Sequence, residues 1–179
     1  MKRIETERLI LDKWSKKDAK DLFEYARTPN VGPAAGWKPH ESVAESKTRI
    51  KKLFIPNRTW KITMKGEDKA IGSIGFEPDP RRPEIRAKEL GYSLSEDYWG
   101  LGIMTEAARE VVRYAFEEEE LQVLSIEAAP DNKRSLRVIE KLGFKFEGRL
   151  RDAYRTFDGK IRDTMVFSIT KDDWMDMSK

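Results

Sequence analysis

The chain has 179 residues, with 35 Lys and Arg against 32 Asp and Glu, one His and no Cys, for a net charge of +3. Without Cys there is no thiol nucleophile, no disulfide framework and no thiolate zinc site. A histidine general base would have to be His40, the only one in the chain. At about 100–200 residues per domain, the length predicts one domain spanning the whole chain. Hydrophobic residues make up 39% and aromatics 10%, enough for a core beneath a strongly charged surface. Charges of both signs are interspersed, as in the acidic run 117–120. The pI near 9.0 therefore marks no basic arm, and nucleic acid is not an expected partner. No apolar run approaches the ~20 residues that span a bilayer, and the N-terminus has no secretory core, so a cytoplasmic protein without a membrane partner is expected.

In chain order, Leu9 and Leu11 alternate with polar neighbours and predict a strand over Arg8–Trp14. Ser15–Asp18 reads as a helix start, with Ala19, Leu22, Phe23 and Ala26 at helical spacing and Thr28-Pro29 as the stop. Residues 30–40 read as a Gly/Pro loop. Ser42 and Glu45 have capping-box spacing before a second helix that places Val43, Lys47, Ile50 and Phe54 on one face. Strands are predicted over Thr59–Lys65, Ala70–Glu77 and Lys88–Leu94, the first two joined by a hairpin at Gly66–Asp68. A proline-rich loop, Pro78–Pro83, separates the second from the third. A long helix over Met104–Glu118, a strand over Leu121–Ala128 and a helix over Asn132–Leu142, ended by Gly143, follow. Strands over Phe144–Leu150 and Ile161–Thr170, joined by a long polar connection, complete a mixed α/β order.

The stretch 90–106 carries the first functional signal. Gly100 and Gly102 lie between a strand end and a helix start. Glycines let the backbone approach a ligand, and a helix N-terminus offers free N–H groups and a positive dipole end. Together they suit a phosphate or pyrophosphate. A tight turn with no ligand has the same glycines. No Gly-Lys-Ser/Thr follows, so this is not a P-loop, and Thr105 stands where a dinucleotide fingerprint needs its third glycine. The second signal is Asn132–Ser135 at the start of the next helix. Asn132 suits an N-cap and Ser135 the third helical position. Lys133 and Arg134 oppose the helix dipole there, which either a bound phosphate or solvent would relieve.

Together these residues resemble the GCN5-related N-acetyltransferase (GNAT) superfamily, nearest its branch of ribosomal-protein N-terminal acetyltransferases. The resemblance is carried by Glu89-Leu-Gly-Tyr92, Tyr98–Ala107, and Asn132-x-x-Ser135 leading into Lys141-Leu-Gly-Phe144. Glu147–Arg151, Asp158-Gly-Lys160, Asp163 and the opening Glu5–Leu11 extend it over almost the whole chain. It implies a single-domain mixed fold with a central, largely antiparallel sheet flanked by helices. It implies acetyl-CoA as cosubstrate, no metal, and an amine acceptor, first a protein N-terminus. An acetyltransferase of a small amine (an aminoglycoside, a polyamine or an amino-acid derivative) and a non-catalytic acyl-CoA sensor are the alternatives. A homodimer is left open.

By the same resemblance, the cofactor cradle is Trp99, Gly100, Leu101, Gly102, Ile103, Met104 and Thr105. Trp99 and Met104 depart from the family's Gln/Arg and Gly/Ala positions. The Leu94 backbone N–H is the candidate oxyanion donor. Glu89 is the candidate general base through water, a solvated strand carboxylate or an ion-pair partner being its other reading. Asn132 would bind the pantetheine arm and Ser135 would assist thiolate departure, each having a plain helix-capping or first-turn reading beside it. The loop Trp37–His40 is expected at the acceptor entrance, with His40 a bystander. Tyr154, Arg155 and Asp158, in the last connection, read first as ordinary polar loop and second as the opposite wall of the acceptor site.

Overall fold

The alternation of Leu9 and Leu11 is realised in a strand, β2 (Leu9–Lys13), with both leucines fully buried. Its partner β1 (Ile4–Glu5) is too short to leave a sequence pattern. The structure is a computed structural model and describes residues 1–177. It divides into two compact units, Met1–Gly75 with Tyr92–Ala107, and Phe76–Gly91 with the chain from Ala108 onward.

In the first unit β1, β2, β3 (Trp60–Met64) and the start of β4 (Ala70–Pro78) pair antiparallel in sequence. A 3-10 turn at Lys16–Asp18 leads into α1 (Ala19–Ala26). Its capping box is complete: Lys17 N–H donates to Ser15 Oγ, and Ser15 N–H donates to Asp18 Oδ2 at 2.6 Å. The loop expected over 30–40 contains a short helix, α2 (Val31–Ala34). In α3 (Val43–Arg49), Ser42 Oγ accepts the Glu45 N–H as predicted, but the Glu45 carboxylate reaches past the cap to the Glu41 N–H at 2.6 Å. A π-turn, Ile50–Phe54, then ends the segment. Trp14, Leu22, Tyr25, Ile50 and Ala70 form the core of this unit, with Trp37, Phe54 and Trp99 packed at its edge.

The second unit contains the start of β5 (Ala87–Leu94), most of α4 (Ile103–Glu117), β6 (Val123–Ala128), α5 (Lys133–Lys141), β7 (Lys145–Arg155), β8 (Ile161–Thr170) and α6 (Lys171–Met177). β6 pairs antiparallel with β8, and β8 with β7. The long polar connection expected after Leu150 is instead the second half of β7. Its pattern is hidden because an edge strand exposed on both faces needs no alternation. The strand also shifts register between Leu150 and Tyr154, where Asp152 has φ 51 and its N–H donates to Asp163 Oδ1. The true connection is a hairpin at 156–160, closed by Thr156 N–H to Lys160 O at 2.8 Å. α6 was not predicted from sequence, and its Trp174 stacks on Phe116 with centroids 5.5 Å apart.

The hydrogen-bonded strand order is β1-β2-β3-β4-β5-β6-β8-β7. This eight-stranded, mostly antiparallel sheet with helices is the mixed α/β class expected from the element order.

Candidate functional site

A parallel ladder joins Ala87, Lys88 and Glu89 of β5 to Val123, Leu124 and Ser125 of β6. β5 then continues to Leu94, in the first unit, and leads into the glycine loop. A 3-10 turn at Glu96–Tyr98 is closed by Trp99 N–H on Glu96 O at 3.0 Å. Gly100 and Gly102 both have φ 77, the left-handed region that a side chain disfavours. Nothing lies within 4 Å of a Cβ built at Gly100, so backbone conformation rather than space calls for glycine there.

α4 starts directly after this loop, and its first N–H groups have no partner within the helix. The side chains of Ile103 and Met104 are buried, at 1% and 6% exposure, so only their backbone can meet a ligand. Trp99 is spent on the protein: its indole packs on the core, and Nε1 donates to Leu94 O at 2.9 Å. That bond ties the loop to the strand end carrying the candidate oxyanion donor. Arg8, immediately before β2, fastens the loop. Its Nη1 donates to Leu101 O at 3.1 Å, its Nε to Glu106 Oε2 at 2.6 Å and its backbone N–H to Glu106 Oε1 at 2.9 Å. Thr6 Oγ1 adds a donor to the same carboxylate at 2.5 Å. Burial raises the proton affinity of Glu106, but these bonds outweigh it and leave the carboxyl below its usual range.

Glu89, Asn132 and Ser135 lie in the second unit. Asn132 caps α5, with its Oδ1 accepting the Ser135 N–H at 3.2 Å. Glu89 has the ion-pair partner that was its other reading. Arg81 Nη2 donates to Glu89 Oε2 at 2.6 Å, and Nη1 of the same guanidinium donates to Glu127 on β6. Burial pushes the Glu89 carboxyl above its ordinary value, with Glu127 adding to the rise and Arg81 opposing it. Tyr154 and Arg155 are not in a loop but end β7, where Arg155 pairs with Ile161. Tyr154 sits on the same strand opposite Arg162, and burial raises its phenol, with Asp131 and Glu127 contributing. Arg8, Arg81 and Glu127 are the residues that sequence reasoning missed. Arg8 stands inside the opening motif, whereas Arg81 sits in a proline-rich loop that gives no signal.

In the first unit, Asp21, Glu24, Tyr25, Lys69, Glu96 and Asp97 help to line a cavity of about 340 Å³. Three of its four carboxylates are already engaged: Asp21 accepts the Ala70 N–H, Glu24 pairs with Lys69, and Glu96 accepts from Asn30. His40 is buried and bonded through Nδ1 to Ser46 Oγ at 2.7 Å, and burial lowers its pKa. Among the described residues no group of three or more His, Asp or Glu could hold a metal ion, and no helix is long and apolar enough to cross a membrane.

Comparison with known proteins gives a consistent picture. A family model described as an acetyltransferase (GNAT) domain matches residues 8–145. An uncharacterized N-acetyltransferase of Bacillus licheniformis, p20, is 30% identical over 96% of this chain and 97% of its own. A GNAT-family acetyltransferase of Bacillus anthracis superposes with a TM-score of 0.85 at 23% identity, over 96% of this chain and 99% of that one. The ribosomal-protein-S5-alanine acetyltransferase of Vibrio fischeri superposes with a TM-score of 0.79 at 26% identity, over 97% and 99% respectively.

Proposed function

We propose that this chain, which belongs to the GNAT family of acetyltransferases, moves the acetyl group of acetyl-CoA to the α-amine of a protein N-terminus. The observation that supports this acceptor is the likeness to the S5-alanine acetyltransferase over nearly the full length of both chains. The chemistry of the chain agrees with it. An α-amine has an unperturbed pKa of about 7.7–8.0, so a useful fraction is neutral at pH 7 and a single carboxylate suffices as base.

The residues present fit the cosubstrate. Two left-handed glycines, the N-terminus of the 15-residue α4 and the Arg8 guanidinium, whose Nη2 lies 3.6 Å from a Cβ built at Gly102, form a donor set suited to a pyrophosphate. Acetyl-CoA supplies the activated acetyl thioester. Leu94 would offer its backbone N–H to the oxygen on which negative charge develops. Glu89 would take the amine proton through water, and Ser135 would hydrogen-bond the departing sulfur.

A thiol-release assay with acetyl-CoA tests the acceptor. Peptides with a free N-terminal alanine or serine are expected to turn over, and blocking the α-amine while keeping a lysine should abolish the signal. Turnover confined to spermidine or an aminoglycoside would replace this acceptor with a small amine. Acetyl-CoA binding with no turnover on any amine would replace catalysis with sensing.

Arg8→Ala tests the cradle. The ion pair is partly exposed, so its loss should cost no more than about 1 kcal/mol, a rise of about five-fold in KM for acetyl-CoA with kcat little changed. An unchanged KM would separate this loop from cofactor binding.

A further inference from the structure

The connection between β4 and β5 carries two consecutive arginines, and each reaches carboxylates on other elements. Arg81 holds Glu89 through Nη2 and Glu127 through Nη1, with Nε 3.5 Å from Asp79 Oδ1. Arg82 donates to Asp79 Oδ2 at 2.9 Å and to Glu147 on β7. Glu147 also accepts from Ser168 Oγ on β8 at 2.7 Å. Asp79 is 3% exposed and accepts the Arg81 backbone N–H at 2.9 Å, so the loop is anchored from beneath. Tyr154 on β7 feels the charges of Glu127, Asp131 and Arg162, and Arg162 Nη1 donates to Asp131 Oδ2 at 3.1 Å.

Two features of this arrangement bear on proton transfer. Glu89 is in the last β5–β6 pair, and Glu127 lies two residues beyond its partner Ser125. One planar guanidinium therefore links both strands at the point where the ladder ends, a task that suits arginine's fork better than a lysine's point charge. The cluster also holds four carboxylates, Asp79, Glu89, Glu127 and Glu147, against two guanidiniums, a surplus of two negative charges. An arginine paired with a single carboxylate holds it ionised and makes it a poor base. Here Glu127 keeps Arg81 paired while Glu89 gains a proton, so no guanidinium is left without a partner.

We propose that Arg81 is a positioning residue for the transfer reaction: its guanidinium, shared with Glu127 and steadied by Asp79, holds the Glu89 carboxylate at the end of the β5–β6 ladder and leaves it free to accept one proton. The inference rests on the reading of Glu89 as general base.

The test is the pH dependence of kcat/KM for a reactive N-terminal peptide in Arg81→Gln, Arg81→Lys, Glu127→Gln and Glu89→Gln, with melting temperature and KM for acetyl-CoA recorded alongside. Losing the Arg81 charge should move the acidic limb up by about 1 pH unit, and losing the Glu127 charge should move it down by about as much. Arg81→Lys should keep the limb near its place and lose about ten-fold in kcat, because a point charge does not orient two carboxylates. A destabilised but otherwise unaltered enzyme would show a lower melting temperature and no opposed shifts. Limbs that coincide with wild type, or that move in the same direction in both charge-removing variants, would overturn the inference. If Glu89→Gln loses the limb while the Arg81 and Glu127 variants leave it in place, only the positioning role fails. If Glu89→Gln keeps both limb and rate, the base reading fails and this inference with it.

Discussion

Replacing Gly72 by alanine is expected to lower stability and turnover together. A Cβ at this position would lie 2.6 Å from the Ser93 carbonyl oxygen and 3.0 Å from Leu94 Cδ1. The first contact is with backbone, which cannot rotate away, so β4 and the end of β5 must part locally. Overpacking of this kind costs about 1–3 kcal/mol, which for a chain of this size lowers the melting temperature by about 2–12 °C. The same displacement moves Leu94, the proposed oxyanion donor, and a misplacement near 1 Å is worth about 100-fold in rate. Thermal melts and initial rates on one preparation check both effects. Gly91→Ala is the control, since a Cβ there meets nothing within 4 Å. A Gly72→Ala protein that is less stable yet turns over normally would remove Leu94 from the mechanism.

Glu89→Gln is expected to lower kcat/KM by about 100-fold or more while leaving the fold intact. Glutamine keeps the size of the side chain, and Arg81 retains Glu127 and Asp79 as partners. The sign of the pH effect follows from the direction of the shift. Burial holds the Glu89 carboxyl above its ordinary value, so the basic form fills at a higher pH than for an exposed glutamate. The wild-type acidic limb should lie above the usual glutamate range and disappear in the variant. What remains is the titration of the amine itself, near about 7.7–8.0. Rates at pH 6–9 decide the matter, and a variant as fast as wild type across that range would make Glu89 a structural ion-pair partner only.

The glycine loop and the α5 cap were legible in the sequence because the physics that makes them is local. Gly100 and Gly102 adopt φ 77 within the turn that starts α4. Asn132 caps a helix whose Ser135 N–H is three residues away. Trp99 looked like a departure from the family pattern, and the structure gives it a use. Its indole N–H reaches Leu94 O five residues back and fixes the loop to the strand end.

Other features had no local signature. β7 reads as polar connection beyond Leu150 because both faces of this edge strand are exposed and its bulge breaks the period. Arg8 and Glu106 meet across 98 residues, and Arg81 and Glu127 across 46. By itself the sequence determined the order of the longer elements, the glycine loop and the capping asparagine, since each depends on backbone dihedrals and hydrogen bonds spanning a few residues. Which carboxylate Arg81 would hold, and whether Glu89 would face solvent or a guanidinium, was decided only by the tertiary structure. An ion pair carries no periodicity, and its partners are chosen by the strands that the sheet brings side by side.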